Sequence, residues 1–121
     1  MPNQKKYSDS ELIEIINDSE DKPIFVVETN SRVVGYAFCL KIHSEENSRI
    51  LNTLYIDDLC VDENQRGNHI GTELLNYVME YAKFNNFYNV TLNVWALNSS
   101  ALKFYEKNGL KIQKYGMEKI I

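Results

Sequence analysis

Residues 54–75 read LYIDDLCVDENQRGNHIGTELL and pass from a strand-like run, through a loop holding Arg66, Gly67 and Gly71, into an apolar pattern of helical period. Ile70, Leu74, Leu75, Val78 and Ala82 recur at three- and four-residue intervals, which predicts a helix over residues 71–84. The loop therefore sits at a helix N-terminus. Backbone N–H groups there have no intrahelical acceptor, and the helix dipole favours negative charge. The glycines let the backbone approach a bulky ligand, and Arg66 adds a fixed positive charge. A pyrophosphate suits such a cradle. The same residues equally describe a tight strand-to-helix turn with a solvated arginine. The loop is neither a Walker loop, whose lysine and hydroxyl it lacks, nor GxGxxG.

Upstream, ILNTLYIDDLCV (residues 50–61) is a long apolar strand carrying two adjacent acids, Asp57 and Asp58, near its end. Successive strand residues face opposite ways, so Asp58 is expected on the face opposite Asp57. Acids in an apolar strand need a hydrogen-bond partner or water. KPIFVVET (residues 22–29) and VVGYAFCLKIH (residues 33–43) flank the turn NSR and form an expected antiparallel hairpin, with SEENS a polar loop beyond it. Ser8 and Glu11 have the spacing of a capping box, and Leu12, Ile13, Ile15 and Ile16 supply a helical stripe, so residues 8–19 are predicted as a short helix. Downstream, YNVTLNVW reads as a strand and Asn98 as the N-cap of the helix ALKFYEK, which Asn108-Gly109 ends. LKIQKYGMEKII is predicted as one or two closing strands. The order gives a mixed α/β domain around one sheet.

At 121 residues, 44% hydrophobic and 25% charged, the chain is expected to form one domain (residues 1–121), and no apolar run approaches bilayer length. A net charge of −4 argues against broad nucleic-acid binding. MPNQKKYSDSEL lacks the apolar core of a signal peptide, so the cytoplasm is the expected compartment. Cys39 and Cys60 stand singly among apolar residues and read as reduced core thiols. His43 and His69 have no metal-site spacing, and no metal is expected.

Two linked segments, LYIDDLCVDENQRGNHIGTELL and LNVWALNSSALKFYEKNGLK, resemble the GNAT superfamily of acyl-CoA-dependent N-acetyltransferases, a likeness that runs from residue 25 to the C-terminus. The resemblance implies a central mixed, mostly antiparallel sheet flanked by helices, and an enzyme that moves acetyl from acetyl-CoA to a primary amine of a small molecule or protein. It implies that Arg66, Gly67, Asn68, His69, Ile70, Gly71 and Thr72 cradle the pyrophosphate, with His69 standing where the family's first glycine usually stands. It implies that Leu59, Cys60 and Val61 splay from their neighbour and offer backbone to the pantetheine arm, and that Asn98 contacts the cofactor. Tyr105 occupies the position of the family's proton-donating phenol, and Asp57 that of a carboxylate that binds or deprotonates the amine. Read without the family, Phe104 and Tyr105 are core aromatics of an amphipathic helix, Asp57 a structural acid and Asn98 a cap.

Asp57 and Asp58 favour a cationic acceptor, such as a polyamine, an aminoglycoside, a lysine side chain or a protein N-terminus. A non-catalytic acyl-CoA-binding or regulatory domain is the alternative. Members of the family usually begin with a strand and a helix before the position of residue 8, and the expectation is that this sequence starts after them. KPIFVVET would then be an open edge and one face of the sheet would be left bare by the absent helix, and a symmetric homodimer covering this edge or face is expected.

Overall fold

The computed structural model describes residues 4–5, 11–16, 21–47, 49–62 and 69–121. Strands β1 (Gln4–Lys5), β2 (Glu11–Ile15), β3 (Ile24–Thr29), β4 (Arg32–Glu46) and β5 (Arg49–Val61) are followed by helix α1 (Ile70–Phe84), strand β6 (Asn89–Leu92) and helix α2 (Ser99–Lys107). The strands form one sheet in sequence order. Neighbours from β1 to β5 are antiparallel, and β5 and β6 are parallel with α1 as their crossover. The expected mixed, mostly antiparallel sheet flanked by helices is the one observed.

The β3–β4 turn is built on Asn30 and Ser31, at φ 53° and 65°. Two consecutive left-handed residues give the tight hairpin whose twist matches its strands. The first three residues of SEENS are strand, not loop: β4 continues to Glu46, Asn47 turns with φ 53°, and β5 begins at Arg49, while Ser48 lies outside the described residues. Ser44 and Glu45 are exposed near the end of this long strand, which is why their composition resembles a loop.

Two expectations at the chain ends are corrected. Residues 11–15 are strand, not helix, and pair with β3 from Glu11↔Thr29 to Ile15↔Phe25. Ser8, half of the apparent capping box, lies outside the described residues. The helical stripe was a coincidence of four apolar residues in five positions. Isoleucines are stiff at χ1 and fit a strand, and Ile13 is fully buried against the core. The edge of β3 that motivated the homodimer is therefore occupied by β2, and that ground for self-association is gone. At the other end, LKIQKYGMEKII forms no strand, and residues 111–121 are exposed. Its apolar positions step by three between Ile112 and Tyr115 and between Met117 and Ile120, so they cannot share one face of a continuous strand.

The core lies between α1 and one sheet face. Ile70, Leu74, Leu75, Tyr77, Val78, Tyr81 and Ala82 of α1 meet Ile13, Phe25, Val27, Ala37, Cys39, Leu54 and Ile56. Phe25 is clamped edge-on by Tyr77 and Tyr81, with ring centroids 5.9 and 5.2 Å away. α2 packs at the start of α1, where Phe104 lies so close to Gly71 that a Cβ there would stand 3.3 Å from its ring. Gly71 thus lets α2 pack closely on α1, independent of any ligand. Gly71→Val is expected to cost about 1–3 kcal/mol by overpacking, measured as a lower urea midpoint.

Candidate active site

β5 carries the site because it outruns its parallel neighbour. The β5–β6 ladder ends at Ile56↔Leu92, whereas β5 continues to Val61, still paired with β4 through Gly35↔Val61. Leu59, Cys60 and Val61 therefore lie beyond the last rung on the β6 side. Leu59 and Val61 turn their side chains to the core. What they offer in the opening is main chain. Tyr55 marks the apex of the split, its hydroxyl accepting from Asn93 Nδ2 at 3.2 Å.

The register of β4 and β5 shifts at the same place, pairing Phe38↔Asp58 and then Cys39↔Ile56. Asp57 is the extra residue of this bulge, a device that bends a strand and re-aims its side chains. Both acids are exposed, and neither has an ion-pair partner among the described residues. They diverge. Asp57 adds to the rise of the Cys39 thiol, which burial above all pushes up to about 12. Asp58 accepts a hydrogen bond from the Tyr36 hydroxyl at 3.1 Å on the opposite sheet face. That bond and the carboxylate charge raise the phenol of Tyr36 to about 12, so it remains a neutral donor.

Tyr105, on α2, packs half-buried against the core. Burial first, and the charge of Asp58 second, raise its phenol above the usual 10.0. It therefore holds its proton at neutral pH. The acid that reaches Tyr105 electrostatically is Asp58, not Asp57.

At the start of α1, His69 is the N-cap residue with φ 61° and ψ 18° and makes no side-chain cap bond. Glu73 donates its amide to His69 O at 3.0 Å. Ile70, Gly71 and Thr72 precede that bond, in the first turn whose amides favour anions. His69 takes the left-handed backbone that glycine reaches without cost. His69→Gly is therefore expected to keep stability within about 1 kcal/mol of the native value, since strain relief offsets glycine's entropy. His69→Val should lose about 1–2 kcal/mol in the same denaturant titration. Arg66, Gly67 and Asn68 lie outside the described residues.

Asn98 does cap α2, its side chain accepting from Ala101 N at 3.2 Å and from Ser100 Oγ at 3.3 Å. Cys39 is a buried core thiol as expected, but Cys60 is exposed. The bulge sets it on the face of Tyr36, its register partner, away from the core. Reading residue by residue missed Tyr36. The two-residue spacing of Tyr36 and Phe38 opposite Cys60 and Asp58 was the available signal, but it requires the strand register. Among the described residues no helix is long and apolar enough to cross a membrane.

Both the sequence and the fold have counterparts in known proteins. The sequence matches the Acetyltransferase (GNAT) family over residues 2–110, and the chain belongs to that family. It is 31% identical over 107 residues to streptothricin acetyltransferase A of Bacillus subtilis, covering 88% of this chain and 58% of that protein. The chain spans about half the length of the curated relatives it matches. Among solved structures it resembles an aminoglycoside acetyltransferase from an uncultured soil metagenomic sample (TM-score 0.72, 21% identity, 88% of this chain and 74% of that one). It also resembles an aminoglycoside N-acetyltransferase in complex with CoA (TM-score 0.72, 11% identity, 86% and 69%). These two likenesses show the fold.

Proposed function

We propose that the protein transfers acetyl from acetyl-CoA to a primary amine by direct attack. The observation that carries this reading is the split of β5 from β6 at the bulge, flanked by the protonated phenol of Tyr105 and by two uncompensated carboxylates. In the proposed arrangement, the first turn of α1, with Arg66, Gly67 and Asn68 before it, holds the pyrophosphate. The main chain of Leu59, Cys60 and Val61 holds the pantetheine arm, and Asn98, already spent as a cap, borders the site. The acceptor first loses its ammonium proton to water; the neutral amine nitrogen then bonds to the carbonyl carbon as the carbon–sulfur bond breaks, Tyr105 gives its proton to the departing sulfur, and the second amine proton leaves to an acid of the bulge, Asp57 or Asp58. No enzyme nucleophile is used, and neither the Cys39 nor the Cys60 thiol takes part in the chemistry. The relatives named for streptothricin and aminoglycosides support an amine acceptor, and a net charge of −4 suits a cationic one.

Acetyl-CoA is expected to raise the melting temperature, with a gain of about 2.7 kcal/mol at a hundredfold excess over Kd. Arg66→Ala should shrink that shift. An undiminished shift in this variant would place the pyrophosphate elsewhere. Thiol release from acetyl-CoA across a panel of primary amines tests transfer itself, and binding without release would favour the non-catalytic acyl-CoA-binding domain.

A further inference from the structure

The sheet face opposite α1 has no described helix on it, and its central row is apolar. Strand alternation places Tyr36, Phe38, Leu40 and Ile42 of β4 on that face, with Ile24 and Val26 of β3 beside Phe38 and Tyr36. The Tyr36 and Phe38 rings lie 4.7 Å apart, and Phe38 is 42% exposed. On the other side of this pair stands Asp58, the register partner of Phe38 and hydrogen-bonded to Tyr36. One acid, adjoining the bulge where β5 leaves β6, thus stands beside the two aromatic residues of an apolar row that runs on to Ile42. The Tyr36 hydroxyl contacts Oδ2 of Asp58 and leaves further lone pairs of the carboxylate for a second donor. The other acid at the end of β5, Asp62, is already neutralised by Arg32 at 2.8 Å. On the same face, Glu14 lies on β2 as the register partner of Val26 and Glu28 lies opposite Val33, both at the margin of the apolar row.

We propose that Asp58, Tyr36 and Phe38 form the acceptor subsite, and that it selects a monocationic amine with an apolar, aryl-bearing body over a polycation. The ammonium group sits on Asp58 at the split, and the body lies across the rings toward Leu40 and Ile42. Charge and shape both favour this occupant. A polyamine or aminoglycoside would have to lay further charges across the apolar row before reaching Glu14 or Glu28 at its margin, at a desolvation cost that an aryl body does not meet. An aryl group gains ring contacts there, and an ammonium between a carboxylate and aromatic faces adds a cation–π attraction. Asp58 and the two rings act as specificity-determining residues. The inference rests on the acetyltransferase reading for the meaning of the subsite, but the subsite is made of this chain's own side chains, so its binding can be measured without turnover.

The test titrates phenethylamine and spermidine calorimetrically into the protein, with and without CoA. Phenethylamine is expected to bind about tenfold more tightly than spermidine at physiological salt, where screening weakens purely ionic attraction. Phe38→Ala should weaken phenethylamine about five- to tenfold and spermidine by less than about twofold, since spermidine loses only the cation–π part of the ring contact. Asp58→Asn should weaken both amines, and Tyr36→Phe, which keeps the ring, should preserve the preference for phenethylamine. Urea midpoints of the variants establish that they are folded. Spermidine binding as tightly as phenethylamine, an unchanged phenethylamine affinity in folded Phe38→Ala, or no binding of phenethylamine would overturn the proposal. Phenethylamine binding with the expected variant pattern but no acetylation would uphold the subsite and refute the transferase reading.

Discussion

Tyr105→Phe is expected to lower kcat by about two to four powers of ten, the usual contribution of one positioned general acid. The ring, and with it the packing of α2 on the core, is retained, so the melting shift given by acetyl-CoA should be preserved. The pH profile supplies a second readout. Burial and the charge of Asp58 raise the Tyr105 phenol, so the alkaline limb of kcat in the native protein should fall above the ordinary phenol value of 10.0. Asp58→Asn removes one of those two causes and should move that limb toward lower pH. Full activity of Tyr105→Phe at every pH would remove this residue from the chemistry.

Phe25→Ala should lose about 3–5 kcal/mol of stability, a large part of the roughly 5–15 kcal/mol that holds a domain together. Phe25 is fully buried, and Tyr77 and Tyr81 both stand edge-on to it, so truncation leaves a cavity that two rigid rings close poorly. The sheet face packed by this cluster also carries Leu59 and Val61, so loosening it should disturb the strand that forms the split. Equilibrium urea denaturation, following far-ultraviolet circular dichroism, reads the change directly. A loss below about 1 kcal/mol would mean that α1 does not pack on β3 through this ring.

The parts of the fold that were legible in the sequence are those with one dominant signal. α1 announced itself through a sustained helical period, and the β3–β4 hairpin through two apolar runs around Asn30 and Ser31. α2 was marked by Asn98, whose side chain does accept the Ala101 amide. Residues 11–15 were misread because four apolar residues in five positions satisfy a helical stripe and a strand equally, and only the ladder to β3 decides between them. The closing segment failed for the opposite reason. Its composition suits a strand, but its steps of three let no single face bury.

In the candidate site, Tyr105 and the end of β5 could be named from sequence, whereas the geometry relating them could not. The bulge at Asp57 comes from a mismatch between two strands, visible in neither alone. It sends Asp58 to Tyr36 and leaves Asp57 on the side of Cys39, so the adjacent acids face different neighbours. The left-handed backbone of His69 was equally hidden. A histidine at that position suggested a change in the loop, but the chain keeps the conformation that glycine would have taken.

The most direct measurement is thiol release from acetyl-CoA, followed together with the mass of the acetylated product, in the presence of a panel of primary amines that includes phenethylamine and spermidine. Acetyl transfer at the split of β5 predicts one thiol released per acetylated amine, with no acetyl group left on the protein, and a rate that collapses in Tyr105→Phe while the acetyl-CoA melting shift persists. A native protein that is stabilised by acetyl-CoA yet releases no thiol with any amine in the panel would contradict the account.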